Sequence, residues 1–243
     1  ADALHAMLRT GFSRIPDHRQ DKTTVSLVDA LMSAFAMFSL KCPSLLQFDE
    51  QQRADDNIRS IYHVGRLPCD TQMRTIIDPV GPETLRPIFR DVFRQVQRGK
   101  VLEQFVCLEN CYLLSLDGTG YFSSNKVHCP SCLRRVSGSG EVTWHHQMLG
   151  AALVHPDLKE VIPLCPEPII QQDGHTKNDC ERNAARRFLA AFRRDHPHLP
   201  VIVVEDGLSS NGPHIRDLVD HRMHFILGVQ PGDHRALFEH VGL

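Results

Sequence analysis

There is no basic excess in this sequence: 27 Lys and Arg stand against 29 Asp and Glu, a formal net charge of -2. Nucleic-acid-binding chains usually carry a basic excess or a basic patch. Overall charge therefore gives no support for such a role, and any support must come from local clusters. Long hydrophobic runs are also missing. The most apolar stretch, Leu27 to Leu40, contains Asp29 and is too short to span a bilayer. It reads as a buried core helix, and no membrane contact is expected. The first ten residues lack the apolar centre of a secretory signal, so a cytoplasmic location is expected. In that setting the eight cysteines read as reduced thiols or metal ligands rather than a disulfide framework. Internal repeats and low-complexity segments are absent from the 243 residues, and 42% hydrophobic with 23% charged residues excludes a disordered chain.

What is present divides near residue 105. Residues 1 to about 105 carry helical signals. Ser26 can cap a helix with Leu27, Leu31, Ala34, Phe35 and Phe38 on its apolar face, stopped at Cys42-Pro43. Ser44 and Gln47 form a capping-box pattern, and Asp70 can cap a helix bearing Met73, Ile76, Ile77 and Val80. After the Gly81-Pro82 break, Leu85, Ile88, Phe89, Val92, Phe93 and Val96 form one buried helical stripe ended by Gly99. From Cys111 onward strands are expected at Tyr112 to Leu116, Val142 to His155 and Glu160 to Leu164. Then follow a Pro-containing loop from Cys165 to His175 and a helix capped by Asn178 or Asp179 and running to about Arg194. A strand at Val201 to Val204, a helix at Gly212 to Asp220 and a strand at His224 to Val229 complete the order. Three consecutive strands followed by alternating helix and strand predict a mixed α/β sheet with flanking helices, preceded by an all-α region.

Asp117 and Asp206 each follow an apolar strand and precede glycine. Active sites of α/β sheets gather at such strand ends, and two hard oxygen donors from different strands can hold Mg2+ or Mn2+. Asp-Gly is also a common turn dipeptide, so spacing alone leaves both readings open.

The surrounding words are more specific. Leu116-Asp117-Gly118-Thr119, Trp144-His145-His146-Gln147-Met148-Leu149-Gly150, Lys177-Asn178-Asp179-Cys180-Glu181-Arg182-Asn183-Ala184 and Glu205-Asp206-Gly207-Leu208-Ser209-Ser210 occur in that order. Ile15-Pro16-Asp17-His18-Arg19 and Phe38-Ser39-Leu40-Lys41-Cys42-Pro43-Ser44-Leu45-Leu46 precede them. Together they resemble DDE-type transposases of bacterial insertion sequences, over nearly the whole chain. The resemblance implies a ribonuclease-H-like catalytic core over 106–243, incomplete at its C-terminus, behind a helical region over 1–105 that is a candidate for DNA binding. It implies metal-dependent DNA strand cleavage and strand transfer, with Asp117 and Asp206 as catalytic metal-binding carboxylates, double-stranded transposon ends as partner and a candidate homodimer. The third acid, a Glu, is expected on a helix well after the fifth strand. Glu239 lacks the family's surrounding motif and comes too early to be assigned, so the chain by itself is expected to be inactive. Glu205 stands where the subgroup usually has Asp. A non-catalytic DNA-binding remnant of the same ancestry is the alternative.

Cys129-Pro130-Ser131-Cys132 is a C-x2-C knuckle whose spacing suits one edge of a tetrahedral zinc site. His145 or His146, or Cys107 and Cys111, could complete it; otherwise the pair is two reduced thiols in an exposed hairpin insertion. A zinc-stabilised interaction module without a nucleic-acid role is the reading from a different class. Candidate DNA contacts are Arg86, Arg90 and Arg94 along one helix face, Arg134 and Arg135 in the cysteine loop, and Arg182, Arg186 and Arg193 before the second carboxylate strand. Each set can equally be a solvated face. The short helices between about Ser44 and Ile77 could form a helix-turn-helix.

Overall fold

A computed structural model describes residues 2–19, 23–52, 55–170 and 180–242. They form two compact units, 1–92 and 93–243, and the division falls inside a helix.

The first unit is helical. Its elements are α1 (Asp2–Phe12), α2 (Leu27–Ser39), α3 (Leu45–Gln52), α4 (Asp56–Ser60), α5 (Asp70–Ile77) and the start of α6 (Arg86–Arg98). Phe12, Leu27, Ala30, Met32, Phe48, Val64, Met73 and Ile88 build its core. Ser26 caps α2 by accepting from the Asp29 N–H, and Ser44 accepts from the Gln47 N–H at 3.1 Å. Asp29 is buried but satisfied: it accepts from Arg9 Nη1 at 2.9 Å and from the Gly65 N–H at 3.0 Å. Two expectations need correction. Phe38 does not face the core but is 74% exposed, because α2 buries Ala30, Met32, Ala36 and Met37 instead. And α5 is capped by Cys69, one residue before Asp70, with the Gln72 side chain accepting from the Cys69 N–H at 3.3 Å.

The second unit holds a mixed α/β sheet. Its strands and helices are β1 (Tyr112–Ser124), β2 (Leu133–Val136), β3 (Val142–Val154), β4 (Ile162–Pro163), β5 (Glu167–Ile169), α7 (Glu181–Asp195), β6 (Val201–Glu205), α8 (Gly212–Asp220), β7 (His224–Leu227) and α9 (Arg235–Val241). β3 lies antiparallel to β1 and to the short β4 and β5; β1, β6 and β7 run parallel. The order is therefore β4/β5, β3, β1, β6, β7, with β2 added on the far half of β3. That is the mixed arrangement the resemblance implies, with helices flanking it and an all-α region ahead.

The β-branched run Val201 to Val204 becomes a central parallel strand, and such strands are covered on both faces. Val201, Ile202 and Val203 are all buried. Helix α7 lays Ala184, Ala185, Phe188, Leu189 and Phe192 on the same core as Leu114, Leu116, Leu153 and Val203. Removing one such aromatic side chain typically costs about 3–5 kcal/mol. Arg193 near the end of α7 donates to the carbonyls of His221 at 2.8 Å and Leu199 at 3.0 Å. It ties α7 to the segments around it.

Several local expectations are revised. β1 does not stop at Leu116: its pairing with β3 runs on to Ser124↔Trp144, with a register shift between Gly120 and Phe122. The expected third strand shrinks to Ile162–Pro163, and the Pro-containing loop after it contributes β5. Pro163 and Pro168 lack an N–H, which suits an edge. The cysteine insertion contains β2. Cys180 is the N-cap of α7, while Asn178 and Asp179 lie outside the described residues. Among the described residues, no helix is long and apolar enough to cross a membrane.

Candidate active site and cysteine–histidine cluster

The parallel pairing of β1 with β6 ends at Ser115↔Val204. Beyond that point the two strands separate, and an aspartate stands on each side of the opening. Asp117 lies two residues further along β1, opposite Gly150 of β3. It is within the strand rather than at its end, and it is no turn residue. Asp206 directly follows β6 and caps a single helical turn, Gly207–Ser209: its Oδ1 accepts from the Leu208 N–H at 3.0 Å. One oxygen of Asp206 thus does turn work, leaving Oδ2 for another donor or a cation. Both aspartates are exposed.

Sequence reasoning did not single out Glu181 as a site residue. It is the first residue of α7, and its carboxyl lies directly against the Cα of Gly118, where a Cβ would overlap it. Glycine at 118 is thus what admits this side chain. Burial pushes the Glu181 carboxyl above its ordinary range, and the charges of Asp117 and Asp206 push it the same way. Three carboxyl groups from β1, the β6 end and α7 therefore share one electrostatic site. The signal was present in the Cys180-Glu181-Arg182-Asn183 motif, but a motif does not say which sheet edge a helix start will meet. Glu239 is exposed on α9 and does not contribute to the Glu181 balance.

Two features fix the opening. Glu205, the residue before Asp206, is buried, and its side chain meets His214 of α8: His214 Nε2 donates to Glu205 Oε2 at 2.5 Å. Glu205 Oε1 also accepts from Ser209 Oγ at 3.0 Å. Glu205 therefore turns inward as an anchor, and Asp206 turns out. Gly228, after β7, donates its N–H to the Glu205 carbonyl at 3.0 Å, and a Cβ there would come within 3.4 Å of the Asp206 carbonyl carbon. A side chain at 228 would press on the backbone that aims Asp206.

Further along the same sheet, Cys129 Sγ and Cys132 Sγ are 3.7 Å apart, and His146 Nε2 lies 3.3 Å and 3.2 Å from them. Among the described residues this is the group of three or more His, Cys, Asp or Glu side chains with metal-binding spacing. Of the alternatives, His146 joins the cysteines. His145 does not; both histidines line an open groove of about 420 Å3 with Arg135, Gln147, Tyr121 and Ser123. Cys107 and Cys111 are outside the group, linked to each other by a backbone hydrogen bond at 2.8 Å.

The candidate DNA-contacting arginines diverge. Arg135 is exposed and lines the groove, while Arg134 stacks over Trp144 at 5.9 Å. Arg86 and Arg90 are half-buried, and Arg94 is exposed. Arg182 is exposed, and Arg186 pairs with Asp217 at 3.1 Å. Arg193 is committed to carbonyls, so its expected role as a phosphate contact is replaced by a structural one.

No protein-family profile matches the chain, and no curated protein matches it. Solved structures that align with it include two transposase complexes. One is a piggyBac transposase synaptic complex with hairpin DNA, 14% identical, covering 95% of this chain and 49% of that one, with a TM-score of 0.37. The other is a pre-cleavage Mos1 transpososome, 9% identical, covering 93% of this chain and 68% of that one, with a TM-score of 0.24. The chain thus spans about half the length of the piggyBac transposase. Both scores are too low to establish a shared fold, and the description of the sheet rests on its own strand order.

Proposed function

We propose that this chain carries the metal-binding core of a DDE-type transposase of a bacterial insertion sequence, acting in DNA strand cleavage and strand transfer. The observation that carries this reading is the electrostatic action of Asp117 and Asp206 on Glu181 where two parallel strands part. The donor chemistry suits a hard divalent cation: the charges of Asp117 and Asp206 both act on Glu181, and Gly118 leaves room for its carboxyl, while drawing the three into metal-ligand spacing is part of the proposal. Asp117 and Asp206 would hold Mg2+ or Mn2+, with Glu181 supplying a third carboxyl from α7. When bound, such a cation would supply activation of a water or 3′-hydroxyl nucleophile and charge neutralisation on the leaving oxygen of a phosphodiester.

The protein's own part is positioning. The Glu205–His214 anchor and the close approach of Gly228 set the backbone of Asp206, and β3 sets Asp117. Arg135, on the strand beside the groove, is a candidate phosphate contact. Arg86, Arg90, Arg94 and Arg134 remain candidates for a DNA surface, and double-stranded DNA is the proposed partner, engaged by a homodimer on paired ends.

The test is nicking of DNA carrying the ends of the encoding element by the full-length protein, with Mg2+ binding measured in parallel by calorimetry. Asp117→Ala and Asp206→Ala should abolish both nicking and Mg2+ binding without loss of fold. Folded variants that still nick or bind Mg2+ like the wild type would sink the reading. Retained DNA binding with no cleavage by the wild type would replace it with that of an inactive DNA-binding relative.

A further inference from the structure

We infer that Cys129, Cys132 and His146 are the ligands of a zinc ion that clips the knuckle loop and β2 onto the extended β1–β3 hairpin. The strand-cleavage reading neither requires nor predicts this site.

The argument begins with topology. β1 and β3 continue as a two-stranded ribbon past the rest of the sheet, pairing as far as Ser124↔Trp144. After β1 the chain turns through Val127 to Cys132 and returns as β2, which pairs Leu133 with His145 of β3. That register brings Cys132 alongside His146. The tight turn closes with the Cys132 N–H donating to the Cys129 carbonyl at 3.2 Å and the Cys129 N–H donating to Cys132 Sγ at 3.3 Å. Both sulfurs are thereby aimed at one imidazole nitrogen.

The distances discriminate between explanations. A disulfide would bring the sulfurs to about 2.05 Å, against the 3.7 Å observed. Two thiols and an imidazole held by hydrogen bonds alone need only one close S···N contact, since Nε2 offers either one proton or one lone pair. Here both sulfurs lie within 3.3 Å of the same nitrogen. A tetrahedral zinc with Zn–S near 2.3 Å and Zn–N near 2.05 Å requires S···S of about 3.8 Å and S···N of about 3.5 Å. All three observed separations fall within a few tenths of an ångström of that triangle. The donors are soft sulfur and borderline nitrogen, which favour zinc over Mg2+.

The neighbours serve a structural site. Cys132 is 1% exposed, and Leu133 beside it is also 1% exposed. The His146 ring is held between Tyr121, stacked at 5.7 Å, and Phe122 at 5.6 Å. The three ligands occupy one face of the tetrahedron, and among the described residues no fourth His, Cys, Asp or Glu joins them. The ion would fix β2, and with it Arg134 over Trp144 and Arg135 at the groove.

The test is metal content of the full chain purified without added metal. About one zinc per chain is expected, retained in Cys42→Ser and lost in Cys132→Ser and His146→Ala. Because those two variants could fail to fold, metal-stripped wild type is also titrated with Co2+. A thiolate-to-cobalt charge-transfer band with tetrahedral visible absorption, displaced by an equivalent of Zn2+, is the expected result. No cobalt band, copper in place of zinc, or full zinc content in His146→Ala would overturn the assignment.

Discussion

Replacing His214 by alanine would leave the Glu205 carboxylate inside the protein without its ring partner. The two side chains are 3% and 5% exposed, and the contact between them is 2.5 Å. Solvent has almost no access to repair the loss, and Ser209 can satisfy only one of the two oxygens. Removing one member of a buried pair typically costs about 3–5 kcal/mol, because the remaining charge is stranded. For a domain of this size each kcal/mol lowers the melting temperature by about 2–4 °C, so a fall of roughly 6–20 °C is expected. The assay is thermal denaturation of the full chain by circular dichroism, with and without Mg2+. The double variant Glu205→Leu with His214→Leu distinguishes a stranded charge from lost packing: it should recover most of the loss, since apolar replacement of a whole buried pair is often close to neutral. A single variant melting within about 2 °C of wild type, or a double variant as unstable as the single, would refute the anchor. The same substitutions should weaken Mg2+ binding, because Glu205 precedes Asp206 and holds the Ser209 turn.

Glu181→Gln should raise the melting temperature of the metal-free protein at neutral pH and reduce its stabilisation by Mg2+. The sign follows from the raised pKa: the Glu181 contribution is fully present below its ordinary value near 4.5 and is lost as pH rises through the folded value, so the ionised group opposes folding. A thermal shift in the opposite direction without metal would refute the shared-site electrostatics. Asp17 behaves oppositely. The Arg19 side chain, donating from Nε at 2.9 Å and Nη2 at 2.7 Å, holds its carboxyl down at about 2. Its contribution is present above its ordinary value of 3.8 and is lost as pH falls towards about 2, so Asp17→Asn should flatten that limb of an acid-denaturation curve.

Periodicity was the most legible part of this chain. The α7 face, the buried run from Val201 to Val203 and the long β3 follow directly from apolar spacing, because each is decided by burial along one element. The same reasoning misplaced Phe38, since an almost wholly apolar helix does not announce which side the core will take. It also missed β5 and β2, whose three and four residues are strands only by pairing with β3, a partner distant in sequence. Pairing likewise carried β1 past Asp117, where glycine and polar residues end the apolar signal but not the ladder.

The chemistry separates along the same line. A side chain's type and its neighbours in sequence nominated Asp117, Asp206, Cys129 and Cys132, but the groups around them are assembled across elements. His146 and His145 are adjacent in sequence and were equivalent as candidates. Both border the same groove, but the register Leu133↔His145 brings the Cys132 end of the knuckle to His146. Glu181 reaches the aspartates because α7 begins where Gly118 has no side chain. Glu205 and Asp206, both acidic and adjacent, are also divided: one meets His214 inside, the other opens outward. At each of these pairs the residue type was common to both members, and the fold's register chose between them.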